Sequence, residues 1–112
     1  MVLGRHWTAV LRGCAPDRLR DPRHLAAVLA DVPDALGLTR VGEPVVQVLP
    51  DGALVGFTLL SASHASIHVP PAGRDAFVDL FSCAPFDAAA CTAAFVAGLG
   101  AASADTTLSA RS

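Results

Sequence analysis

Apolar residues recur along this chain with two different periods. Leu25, Val28, Leu29, Val32 and Leu36 fall at i, i+3, i+4, i+7 and i+11, one stripe of an amphipathic helix. Asp21-Pro22 precedes the stripe as an N-cap followed by a first-turn proline. Pro33 is expected to kink or end this helix near Val32, with Gly37 as its C-cap. A second helix runs from an Asp87 cap to about Leu99, with Ala88, Cys91, Phe95 and Leu99 inward and Gly100 after it. The remaining apolar runs read as strands: residues 6–12, 39–49, 53–61, 66–69 and 76–83, with 106–110 as a short last one. Pro50-Asp51-Gly52 between the second and third is a hairpin signal, and the arginine- and aspartate-rich stretch after Gly13 reads as a loop.

The order β-α-β-β-β-β-α-β predicts an α+β two-layer sandwich, an antiparallel sheet with two helices on one face. Both faces of the strand around Phe77 are mainly apolar: Ala76, Val78 and Leu80 on one, Phe77, Asp79, Phe81 and Cys83 on the other. Two helices cover a single face, so the other is expected to meet a second copy, sheet stacked on sheet in a homodimer. At 112 residues, 53% of them hydrophobic, the chain makes one domain, residues 1–112.

Composition removes several mechanisms. All eight basic residues are arginine, so no lysine is present for a pyridoxal-phosphate Schiff base or a P-loop. Glu43 is the one glutamate, against helical zinc-protease and EF-hand patterns. A net charge of −2 argues against nucleic acid as a partner. Cys14, Cys83 and Cys91 form no C-x-x-C pair and read as reduced thiols. The first residues lack an apolar signal core, and residues 88–104, alanine- and glycine-rich, read as a packed helix and not a membrane span. A cytoplasmic protein with no membrane partner is the expectation.

The densest polar cluster is Ser61-Ala62-Ser63-His64-Ala65-Ser66-Ile67-His68. By composition it reads as a polar turn between strands. A metal site pairing His64 with His68 has no third histidine or cysteine ligand nearby, so no metal is expected. A serine hydrolase would need a G-x-S-x-G elbow, which is absent. Cys83 taken alone reads as a buried structural thiol, and Cys91 as core.

The longer stretch resembles a known family. Ser63-His64-Ala65-Ser66-Ile67-His68, then Pro71, then Ala76-Phe77-Val78-Asp79-Leu80-Phe81-Ser82-Cys83 is similar to the prokaryotic S-adenosylmethionine decarboxylases, with their E-S-H-x-S-I-H-T-W-P-E and A-V-D-v-F-T-C patterns. Gly4-Arg5-His6 and Leu49-Pro50-Asp51-Gly52 are weaker echoes. The resemblance implies a self-made pyruvoyl cofactor. Ser63 would attack the carbonyl of Ala62, and elimination and hydrolysis would split the chain between Ala62 and Ser63, leaving a pyruvoyl group at residue 63. His68 matches the residue that assists processing, and Cys83 the general acid that reprotonates the substrate carbon. The pyruvoyl ketone would form a Schiff base with a small amino-acid-type substrate and accept electrons as carbon dioxide leaves, in polyamine (spermidine) biosynthesis.

The sequence also departs from the pattern. Ala62 replaces the glutamate before the cleaved bond, and T-W-P-E reads Val69-Pro70-Pro71-Ala72. Val48 stands where the family has phenylalanine, so both aromatic partners of the substrate adenine are absent. The family's hairpin serine falls near Ala53-Leu54-Val55-Gly56, without a hydroxyl. Three functions follow: a decarboxylase of S-adenosylmethionine, the same chemistry on a smaller amino acid such as ornithine or arginine, and an uncleaved, non-catalytic binding or regulatory homologue. Arg5 and Arg74, near the motif segments, are candidates for holding a substrate carboxylate.

Overall fold

A computed structural model describes residues 1–112. In chain order it comprises β1 (Gly4–Arg12), α1 (Pro16–Leu19), α2 (Pro22–Ala35), β2 (Val45–Val48), β3 (Leu54–Leu60), β4 (Ser63–Val69), β5 (Ala76–Ser82), α3 (Ala88–Leu99) and β6 (Ser103–Arg111). The strands form one sheet in the order β2-β3-β4-β5-β1-β6, antiparallel throughout. The first strand thus lies between the fifth and the last, and closes the hydrogen-bond ladders of both.

Both long helices begin where the caps predict. Asp21 accepts from the Arg23 N–H at 3.0 Å, and Asp87 from the Ala90 N–H at 3.1 Å. The α2 stripe of Leu25, Val28, Leu29 and Val32 is buried, as are Cys91, Phe95 and Leu99 of α3. Ala88 is half-buried. Gly100 ends α3 at φ +60°, the left-handed conformation glycine adopts without a steric penalty. A Cβ on Gly98 would lie 3.0 Å from a Val28 methyl, so this glycine sets how closely α2 and α3 approach.

The core fills the layer between helices and sheet. Trp7, Ala9 and Leu11 of β1, Ala65, Ile67 and Val69 of β4, and Ala76, Val78 and Leu80 of β5 all point into it. Trp7 stacks on Phe95 with ring centroids 5.2 Å apart and planes 11° apart. Its indole N–H donates to Thr92 Oγ1 at 3.1 Å, and the Thr92 hydroxyl donates to the Ala88 carbonyl. The opposite face carries Phe57, Leu59, His64, His68, Phe77 and Phe81, with no helix over it. Phe57, Leu59 and Phe77 are 43%, 52% and 48% exposed there.

Five boundaries differ from the sequence expectations. Pro33 does not end α2, which runs to Ala35; the proline falls in the last turn, and its own carbonyl accepts from Leu36 and Leu38. The strand expected over 39–49 shrinks to β2, because Gly42 turns the chain at φ +79° and Pro44 has no N–H to pair. Only Arg40 of the earlier part bridges, to Leu60. The loop after Gly13 contains the short α1, whose Leu19 is buried. Finally, β4 starts at Ser63 instead of 66, and β6 extends over nine residues.

The Trp7–Phe95–Thr92 contact is the centre of this core. Phe95→Ala is expected to lower stability by about 3–5 kcal/mol, and Thr92→Val, which leaves the indole N–H unpaired, by about 1–3 kcal/mol. Urea unfolding followed by circular dichroism measures both.

Candidate active site

The polar cluster is a strand and not a turn. Only Ser61 and Ala62 turn the chain, between Leu60 and Ser63, which face each other as the last pair of the β3–β4 hairpin. Neither turn residue has positive φ, the feature that usually shapes a two-residue hairpin loop. Tertiary hydrogen bonds hold the loop instead: the Ser61 N–H donates to the Thr39 carbonyl at 2.9 Å, and the Cys83 N–H to the Ala62 carbonyl at 3.1 Å. Ser63 faces Ser82 across the β4–β5 ladder. Ser82, buried, accepts from the Ala84 N–H at 3.0 Å and fixes the chain beyond Cys83.

The carbonyl that Ser63 would attack therefore already accepts a backbone N–H. In acyl chemistry such a donor stabilises charge developing on that oxygen. The Cys83 side chain is exposed, contrary to the buried thiol read from composition, and borders a cavity of about 180 Å³ with Gly4, Arg5, Ser82 and Phe86. Ser63 opens β4 where β5 ends, so it pairs with Ser82 and lies one residue from Cys83 across the ladder. Of the two arginine candidates, Arg5 lines this cavity, whereas Arg74 sits beyond the other end of β5 and donates to the Cys14 carbonyl at 3.0 Å.

His68 does not join Ser63 and Cys83 within one chain. It lies five residues along β4, about 16 Å at the usual strand rise, and on the opposite face. There it packs edge-on to Phe77, with centroids 6.3 Å apart, and borders a separate cavity of about 520 Å³ with Thr8, Ser66, Asp79 and Thr107. Apart from Ala62 beside the bond itself, the positions that depart from the resemblance cluster at this same far end. Val55 faces His68 directly, Val48 faces Leu54, Leu54 faces Val69, and Pro70 follows.

A second group escaped the sequence reading. His64 was expected to have no third ligand-type neighbour beyond His68, yet the sheet places His6 of β1 and Asp79 of β5 beside it. His6 Nε2 lies 2.7 Å and His64 Nε2 3.5 Å from the same oxygen, Asp79 Oδ2. Ser66 donates to the other carboxylate oxygen. The available signal was strand parity: His64 and Asp79 occupy same-face positions, but the pairing of β1 with β5 that brings in His6 spans most of the chain. The other thiols are inert by burial. Desolvation raises the pKa of Cys14, and pushes that of Cys91 up to about 12.

The fold and hairpin define an α+β sandwich protein with a serine opening one strand and a thiol just beyond the end of the next. A model of the S-adenosylmethionine decarboxylase family matches residues 5–112, and the chain belongs to that family. It is 41% identical over 80 residues to the S-adenosylmethionine decarboxylase proenzyme of Symbiobacterium thermophilum, covering 71% of this chain and 60% of that one. To the proenzyme of Archaeoglobus fulgidus it is 32% identical over 83 residues, covering 74% and 73%. The matched region thus spans about three fifths to three quarters of these relatives' lengths. The crystal structure of the adenosylmethionine decarboxylase from Aquifex aeolicus superposes with a TM-score of 0.85 at 24% identity, covering 98% of this chain and 91% of that one, a likeness of fold. The α+β sandwich expected from the strand and helix order is the one observed. No helix is long and apolar enough to cross a membrane.

Exposure separates the three thiols. Iodoacetamide at neutral pH is expected to alkylate the native chain once, at Cys83, and the unfolded chain three times, with adducts located by mass spectrometry. Above the ordinary thiol value of 9.0, the unfolded chain loses a Cys91 proton that the folded chain keeps up to about 12, so stability should fall as pH rises through that window.

Proposed function

We propose that this chain is a self-processing proenzyme that cuts its own Ala62–Ser63 bond and then decarboxylates S-adenosylmethionine. The observation that carries the reading is the hydrogen bond from the Cys83 N–H to the Ala62 carbonyl, beside the residue that would attack it. The Ser63 hydroxyl adds to that carbonyl and the C–N bond breaks, turning the peptide into an ester. Loss of the Cα proton expels the Ala62 carboxylate and leaves an unsaturated residue 63. Water then replaces its nitrogen, ammonia departs, and a pyruvoyl ketone opens the second chain. The site fits that group, because residue 63 lies in the sheet beside Ser82 and Cys83, with a cavity adjoining them.

The ketone would supply the electron sink that decarboxylation of an amino acid requires. Cys83 holds the proton that returns to the substrate carbon, from an exposed thiol at the cavity wall. Arg5, whose guanidinium has no carboxylate partner in the chain, is available to an anionic group there. His68 acts from a second copy. The uncovered, apolar sheet face supports a face-to-face homodimer, and an antiparallel stack would set the His68 end of one copy over the Ser63 end of the other. The scissile peptide lies in the plane of the sheet at a strand end, within reach from that face. The three unpaired cysteines support a reducing, cytoplasmic location.

A second reading keeps this chemistry but takes a smaller amino acid such as ornithine or arginine. It is favoured by Val48 and Pro70, where the resemblance expects the two aromatic residues that hold adenine.

Intact mass of the purified protein tests the processing step. Fragments 1–62 and 63–112, the second blocked at its N-terminus, are expected for the wild type, and one uncut 11.4 kDa chain for Ser63→Ala. A wild-type chain that stays whole on long incubation overturns both enzyme readings in favour of a non-catalytic homologue. Cys83→Ala should split yet lose decarboxylation about 100-fold or more, measured as carbon dioxide released from S-adenosylmethionine, ornithine and arginine in parallel. Neither Ser63→Ala nor His68→Ala should cut alone. Refolded together, they should yield split His68→Ala chains, and a mixture that stays uncut places His68 in its own chain's site.

A further inference from the structure

We propose that His6, His64 and Asp79 form a binding site for one divalent transition-metal ion of the zinc or cobalt type, on the sheet face away from the helices. The three residues come from β1, β4 and β5, which are adjacent in the sheet although His6 and Asp79 are 73 positions apart in the chain. Their three ligand atoms lie within 4.8 Å of one another.

Register produces this convergence. His6 of β1 and His64 of β4 both face Phe81 of β5, one from each side. The Phe81 ring packs against both imidazoles, edge-on to His6 at 5.9 Å and nearly parallel to His64 at 6.1 Å. Asp79 is the next same-face residue of β5, and both imidazoles reach its carboxylate. Ser66, directly across from Asp79 on β4, donates to Oδ1 and leaves Oδ2 toward the histidines. Such an outer hydrogen bond is how metal-binding carboxylates are oriented.

An ordinary imidazole–carboxylate pair accounts for only one of the two histidines. His6 at 2.7 Å is such a pair, whereas His64 aims its Nε2 at the same oxygen from 3.5 Å and makes no hydrogen bond of its own. Two rings directed at one carboxylate oxygen are what a shared cation requires. Ligands about 2.0–2.2 Å from a tetrahedral ion lie about 3.4 Å apart, and the observed 2.7 and 3.5 Å bracket that spacing. Small side-chain rotations would admit the ion in place of the proton between His6 and Asp79. Two nitrogens and one oxygen favour zinc-like ions over magnesium or calcium, which need mostly oxygen. Three protein ligands leave coordination positions free for water or an anion, toward a recess of about 310 Å³ that Arg111 also lines.

The test is binding to the purified, untagged protein after chelator treatment. Titration with Co²⁺, followed by visible absorption, should show one ion per chain. His64→Gln and His6→Gln should each weaken binding about tenfold or more, and Mg²⁺ in excess should not compete. His64 is exposed, so its substitution leaves the fold intact, as circular dichroism verifies. Binding should be unchanged in His68→Gln and in Cys83→Ser, with no thiolate charge-transfer band. Absence of saturable binding overturns the proposal. So does binding that survives both histidine substitutions, or a thiolate band that disappears with Cys83→Ser.

Discussion

An antiparallel strand offers two faces and no third, and β4 and β5 load both of them. Odd positions of β4 (Ala65, Ile67, Val69) and even positions of β5 (Ala76, Val78, Leu80) fill the core beneath the helices. The alternate positions carry His64, Ser66, His68, Phe77, Asp79 and Phe81 on the open side. A slip of one residue between these strands would drive an imidazole and a carboxylate into the core and lift isoleucine and leucine into solvent. The apolar half of each strand therefore locks the position of its polar half. The same register sets Cys83 beside Ala62, since the Cys83 N–H bond continues the β4–β5 ladder one step past its last strand pair. Fold stability and placement of the candidate chemistry are in this sense one constraint.

Much of the architecture was legible because its signals are local. The α2 stripe, the two aspartate caps, Gly100 and the Pro50-Asp51-Gly52 hairpin each act within a few residues, and each element lies where they place it. What was missed depends on distant partners or on competing local effects. The cluster from Ser61 to His68 looks like a turn because serine and histidine are polar. Its polar side chains instead lie mostly on a face that needs no burial, while Ala65, Ile67 and Val69 between them satisfy the core. The reach of β6 depends on β1, its only neighbour in the sheet, and nothing in its own alternation of threonine, serine and alanine marks nine paired residues. Pro33 carries the signal to kink or end the helix near Val32, yet a proline in a final turn removes one N–H where few bonds remain to be lost.

The candidate site was legible as a set of residues but not as an arrangement. Ser63, His68 and Cys83 stand in one motif, and a linear motif invites the picture of three side chains meeting. Strand geometry forbids this for Ser63 and His68, whose odd separation puts them on opposite faces. Ser63 and Cys83, 20 positions apart in sequence, come to the same end of the sheet, where Ser63 faces Ser82, the residue before Cys83. His6, His64 and Asp79 make the same point in reverse, being scattered in sequence and adjacent in space.

The far end of the sheet then acquires a meaning that one chain does not give it. Val48, His68, Pro70 and the segment 53–56 occupy positions that the resemblance ties to substrate holding or processing, and all lie at the end away from Ser63 and Cys83. Two explanations compete: either these positions have lost their role, or the role is exercised on another copy. The first would leave an exposed apolar face with Phe57, Leu59 and Phe77 unexplained, since a monomer gains nothing by presenting such a surface to water. The second explains the face and the separation together. The proposed two-fold stack would bury those side chains and, by reversing the strand direction, would set each chain's far end over its partner's near end. The lack of lysine is compatible with the proposed chemistry: a ketone made from residue 63 would accept the substrate amine, so the chain would need to supply no amine itself.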